Sequence, residues 1–171
     1  TPALHATYLG DKNKISALIQ TYLSSRFAQE ALSSGKNLLL YKVCIKLVEE
    51  FLKSEKQYIE QLTATGSSLQ IVALEQELKY TVSAAGTPVT LSGRTDRIEN
   101  LDGIIRIADF KTGTPADIKP LNDKTREELF IKPDYAKTVQ LLIYAWLYNR
   151  SNTSAQSISS GIYWLRQPAA G

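Results

Sequence analysis

Apolar positions recur along the first third of the chain at intervals of three and four. Ile15, Leu18, Ile19, Tyr22, Leu23 and Phe27 set this spacing over 15–33, the repeat of an amphipathic helix with one face toward a core. Ser33-Ser34-Gly35 carries turn chemistry and is expected to end that helix. The spacing returns from about 37 to 63 through Leu40, Val43, Cys44, Leu47, Val48, Phe51 and Leu52, with Lys and Glu on the other side, and predicts a second, longer helix. Thr65-Gly66-Ser67-Ser68 breaks the repeat, and strand-like runs follow. Leu69–Val82, Val89–Glu99 and Ile104–Lys111 are the predicted strands, joined through Ala84-Ala85-Gly86-Thr87 and Asn100-Leu101-Asp102-Gly103. Both connections have hairpin length, so the three strands should form an antiparallel meander.

Lys111-Thr112-Gly113-Thr114-Pro115 stops the third strand, and the charged segment after it shows no clear period. A long loop inside a compact domain is often functional. Helical spacing resumes from Asp134 to Arg150 with Val139, Leu142, Ile143, Trp146 and Leu147, and Ser157–Arg166 predicts a last strand. The order is helix, helix, three strands, helix, strand, an α/β (α+β) arrangement with a helical part over 1–64 and the sheet over 69–166. With 171 residues, 43% of them hydrophobic, the chain is expected to form one globular unit over 1–171.

Composition narrows the field a little further. No apolar stretch approaches the roughly 20 residues that span a bilayer, and no secretory pattern opens the chain, so no membrane partner is expected. The single cysteine, Cys44, lies in an apolar helical pattern and reads as core. One thiol excludes an internal disulfide and cannot build a four-thiolate zinc or iron–sulfur site. The chain opens on Thr1-Pro2-Ala3-Leu4 without methionine, which suggests a piece of a longer protein. A net charge of +3 and a pI near 8.9 allow a polyanionic partner without requiring one.

Asp109 and Lys111 stand two apart at the end of an otherwise apolar strand, so alternation points both to one side of the sheet. There a carboxylate can hold a divalent cation while the lysine orients or deprotonates a water. An isolated Asp-x-Lys is more often a surface ion pair. The preceding strand changes the odds, because Gly93-Arg94-Thr95-Asp96-Arg97-Ile98 brings a second carboxylate to the neighbouring strand. Two carboxylates side by side repel, and a hard cation such as Mg²⁺ relieves that repulsion. The alternative is that Asp96 pairs only with Arg94 or Arg97. Glu75 and Glu77 on the first strand offer a third acidic group, and Gln140 and Tyr144 share a helix face.

Taken in order, Leu74-Glu75, Gly93 to Ile98, Ile107-Ala108-Asp109-Phe110-Lys111-Thr112-Gly113 and Gln140-Leu141-Leu142-Ile143-Tyr144 resemble the motifs of the RecB and AddB nuclease branch of the PD-(D/E)xK superfamily. The resemblance covers roughly 70–150. It implies a restriction-endonuclease-like core, a central mixed sheet with the meander flanked by helices. Asp96 and Asp109 resemble the metal-binding carboxylates, Lys111 the catalytic lysine, the Phe110 carbonyl a backbone metal ligand, and Gln140 and Tyr144 the accessory pair. Glu75 matches an acidic position of the branch better than Glu77. The branch usually carries a further metal-ligand histidine ahead of the strands in a Gly-x-x-x-His context; the only histidine, His5, is its candidate counterpart here but lacks that glycine, and the alternative is a ligand histidine upstream of Thr1.

What the resemblance implies functionally is a Mg²⁺-dependent deoxyribonuclease, with Mn²⁺ as substitute, of exonuclease type and without an iron–sulfur cluster in this chain. Its setting would be cytoplasmic DNA recombination and repair, alongside a helicase domain or subunit. Arg94, Arg97, Arg106, Lys119, Lys124, Lys132 and Lys137 are available for backbone phosphates. The alternatives are a DNA-binding scaffold that keeps the fold without the chemistry, and a CRISPR-associated or restriction-type nuclease.

Overall fold

The computed structural model describes residues 8–9, 11–27, 32–115, 118–119, 126–152 and 157–166. Contacts group the chain into two compact units, Thr1–Thr65 with Leu165–Gly171 and Gly66–Trp164. In the first, helix α1 spans Lys12–Ser24 and helix α2 spans Gly35–Ala64. Ile15, Ile19, Leu23 and Leu32 form its buried cluster, against which Tyr41, Cys44, Ile45, Val48 and Leu52 of α2 pack. Cys44, expected in the core from its apolar setting, is half-buried and packs against this cluster from outside.

The first helix stops earlier than its apolar spacing predicts. The Ser25 hydroxyl donates to the Tyr22 carbonyl at 2.7 Å and takes up an orphan acceptor of the last turn. Ser33-Ser34-Gly35 opens α2 instead of closing α1: Ser34 is the extended N-cap residue, and Gly35 turns the chain with φ of 60°, a conformation glycine adopts at little cost.

The second unit is built on a four-stranded sheet in the order β1 (Leu69–Ala84), β2 (Thr87–Leu101), β3 (Ile104–Lys111) and β4 (Ile158–Trp164). The first three strands form the antiparallel meander, and β4 adds parallel to β3, which makes the sheet mixed. A short 3-10 turn, Pro133–Tyr135, leads into helix α3, Ala136–Ser151. The helix supplies the crossover that a parallel pair requires and packs across all four strands. Ile98, Ile105 and Ile107 of the sheet and Tyr144 of α3 are buried together, with Ala73, Tyr148 and Ile158 around them. A four-stranded mixed sheet covered by its crossover helix, with two further helices in the first unit, makes this an α/β architecture consistent with the restriction-endonuclease-like fold. No described helix is long and apolar enough to cross a membrane.

Candidate active site

Strand β3 determines what its end can do. Ile105 and Ile107 point into the apolar cluster, and alternation makes Asp109 the next residue in that row, only 3% exposed. A carboxylate that deep is stable only if partnered. Gln140 Nε2 donates to Asp109 Oδ1 at 3.0 Å, and Lys111 Nζ stands 2.6 Å from Asp109 Oδ2. The Gln140 amide nitrogen also donates to the Tyr144 hydroxyl at 2.9 Å. One turn of α3 therefore braces the carboxylate from above while Lys111 neutralises it from its own strand.

Asp96 reaches the same place from β2. The antiparallel register pairs Ile98 with Ile107 and Arg97 with Ala108, so one further step sets Asp96 beside Asp109. Its Oδ2 accepts the Phe110 amide hydrogen at 2.6 Å, a charge-assisted bond that ties the two strands together at the end of their pairing. Gly93 matters here for its missing side chain. A Cβ at that position would lie 2.8 Å from Cε1 of Tyr144, so this glycine lets the tyrosine that contacts Gln140 lie against β2.

Glu75 lies between the pairs Leu74–Arg97 and Gln76–Thr95, level with Asp96, but is itself unpaired in the ladder and has a φ of 53°. Its carboxylate sits 3.0 Å from Arg94 Nε, which also donates to the Glu75 carbonyl at 3.3 Å. Glu75, Glu77, Ser92, Gly93 and Arg94 line an open cavity of about 550 Å³. Glu77 pairs with Lys79 at 2.8 Å, and that ammonium holds its carboxyl below the ordinary range.

Arg97 is placed otherwise than expected of a phosphate contact. It is buried at 4% exposure, on the face of β2 away from Ile98, with its NH2 atom 2.6 Å from the fully buried Glu99. Glu99 also takes Arg106 Nε at 3.4 Å, and Arg106 donates to the Tyr163 hydroxyl at 3.3 Å. Burial and this ionic cluster keep Arg97 from a polyanion. The sequence signal was Arg97, Glu99 and Arg106 on one face, but nothing local shows that a face is covered. Lys119 is exposed and hydrogen-bonded to Asp134 at 2.7 Å; the pairing raises the ammonium and lowers the carboxyl relative to their ordinary values. His5 and Lys124 lie outside the described residues.

The model of the PD-(D/E)XK nuclease superfamily matches residues 3–170. The chain belongs to the PD-(D/E)XK nuclease superfamily. No curated protein matches it. Membership implies nuclease chemistry in general terms, and PD-(D/E)XK nucleases generally use divalent metals.

The chemistry of the Asp96 and Asp109 carboxylates fits such an ion. Among the described residues no group of three or more His, Cys, Asp or Glu side chains gathers as a metal cluster, but Mg²⁺ is commonly held by one or two carboxylates and keeps several waters. Asp96 and Asp109, which the strand register sets side by side, could supply such a hard-oxygen pair. The Lys111 ammonium already places one positive charge 2.6 Å from the buried Asp109 carboxylate.

Proposed function

We propose that this chain is a metal-dependent DNA nuclease domain that hydrolyses phosphodiester bonds through Asp96, Asp109 and Lys111. The observation that carries this reading is the buried Asp109 carboxylate, held by Gln140 at 3.0 Å and by Lys111 at 2.6 Å, with Asp96 brought alongside by the strand register. Asp96, Asp109 and the Phe110 carbonyl would hold a divalent cation, Mg²⁺ or Mn²⁺, which when bound supplies Lewis-acid activation and charge stabilisation. Lys111, an ammonium beside Asp109, orients the attacking water by donating a hydrogen bond from Nζ to its oxygen and offsets the negative charge that develops there. Gln140, anchored on Tyr144, keeps the Asp109 carboxylate from rotating. Glu75, level with Asp96 on β1 but ion-paired with Arg94, is an acidic accessory group at the edge of the site rather than a third metal ligand. Exposed Arg94 and Lys119 contact the nucleic-acid backbone.

The RecB and AddB branch, exonuclease action, a role in recombination and repair, and a helicase domain or subunit as partner complete the proposal. The superfamily match runs through both compact units, which supports their action as one nuclease-like domain. The intact Asp96, Asp109 and Lys111 set favours an enzyme over a scaffold that has lost its chemistry. The test is incubation with end-labelled linear DNA and with closed circular DNA in Mg²⁺, Mn²⁺ or EDTA. Metal-dependent loss of the linear substrate, with circles spared, is the expected result. No cleavage under any metal would remove the enzymatic reading for this chain, and cutting of circles would replace exonuclease by endonuclease action.

A further inference from the structure

The face of the sheet that carries Asp109 ends, on its β4 side, in an aromatic residue that the proposed chemistry does not use. In the parallel register of β3 and β4, Asp109 pairs with Ile162 and Lys111 with Trp164. Paired residues point to the same face, so the indole is the lateral neighbour of Lys111, one strand spacing of ~4.8 Å away. Tyr163 stands on the opposite face, with its ring 5.5 Å from that of Phe110, as alternation requires. Trp164 is half-buried, and it stands outside the apolar cluster that fills this face.

Helix α3 adds a cation to the ring. Lys137 Nζ lies 4.7 Å from the Trp164 ring centroid, and Gln140, three residues further along the same helix, contacts Asp109. Trp164 and Lys137 therefore stand beside the Asp109–Lys111 pair. A lysine over an aromatic ring is held weakly outside a desolvated site, and a phosphate can draw it away. An indole face is sequence-tolerant and accepts any base, but only a base not already stacked within a duplex.

We propose that Trp164 and Lys137 form a nucleotide-binding subsite next to Asp109 and Lys111, taking an unpaired base on the indole and its phosphate on the ammonium. The subsite gives the chain a preference for single-stranded nucleic acid. It deepens the proposed function and rests on that reading for the identity of the substrate.

The chain has two tryptophans, so Trp146→Phe leaves Trp164 as the only indole reporter. This variant is titrated in EDTA with a fluorescently labelled oligodeoxythymidylate, following indole emission and label anisotropy in parallel. The expected result is quenching of Trp164 that saturates with the anisotropy change. Trp164→Leu should weaken single-strand binding roughly 5- to 100-fold, with a smaller effect on a duplex of equal length, and Trp164→Phe should restore most of it. Lys137→Ala should lower the slope of log affinity against log salt by about 0.7, the loss of one phosphate contact. If Trp164→Leu does not fold by circular dichroism, the quenching and the Lys137→Ala slope decide. Oligonucleotide binding without quenching, or unchanged affinity in folded Trp164→Leu, removes the subsite alone. No binding at all overturns the subsite together with the nucleic-acid substrate, and binding with quenching but no cleavage keeps the subsite while ending the enzymatic reading.

Discussion

Gly93 shows how a residue without a side chain can govern the site. The Tyr144 ring lies where its Cβ would go, and the tyrosine hydroxyl accepts from the same Gln140 nitrogen that donates to Asp109. The ring cannot retreat without disturbing that bond. Gly93→Ala should therefore cost about 1–3 kcal/mol by overpacking, measurable by urea unfolding, and should also lower cleavage by the surviving folded protein. A stability equal to the parent would mean that Tyr144 moves freely. Asp96→Asn makes the converse separation. The amide oxygen can still accept from Phe110, so the melting temperature should stay close to the parent value while metal-dependent cleavage is lost. Full activity in Asp96→Asn would remove Asp96 from the metal site.

The strands and their turns were the most legible elements, because alternation and turn chemistry are both local. Asp102 and Gly103 take φ of 51° and 89°, and Ala85 and Gly86 take 49° and 83°, the pattern of two-residue turns with positive φ at both central positions. Asp-Gly suits that geometry, whereas alanine is strained there. Ala85→Asn should raise stability by roughly 0.5–1 kcal/mol; a loss of stability on thermal unfolding would contradict the turn assignment. The end of α1 was not legible, since a serine hydroxyl capping its own helix competes with the apolar spacing that would extend it. Nor were the pairing of β4 with β3 and the burial of Arg97, which depend on contacts between distant segments. Glu99→Gln leaves Arg97 and Arg106 without the buried charge that balances them and should cost about 3–5 kcal/mol, read from the denaturant midpoint. An unchanged midpoint would show that the cluster contributes nothing to the sheet.

At the scale of the whole molecule, the ordered motifs and the match over residues 3–170 agree on one superfamily, and a cation bound between Asp96 and Asp109 would stabilise the folded chain by mass action. At a free Mn²⁺ concentration of 100 times Kd the gain should be about 2.7 kcal/mol, seen as a rise in melting temperature; Asp109→Asn should abolish it. No metal-dependent shift at millimolar Mn²⁺ would mean that the ligand set of this chain is incomplete. The most direct measurement of the central claim is single-turnover DNA cleavage by Lys111→Ala beside the active parent, with Mn²⁺ stabilisation recorded for both. Lys111 lies next to the carboxylate without being required to hold the ion, so metal stabilisation should persist while the cleavage rate falls by roughly 10²–10⁴, and Lys111→Arg should not rescue it. Cleavage by Lys111→Ala at the parent rate would make Lys111 a structural ion-pair residue and contradict the mechanism.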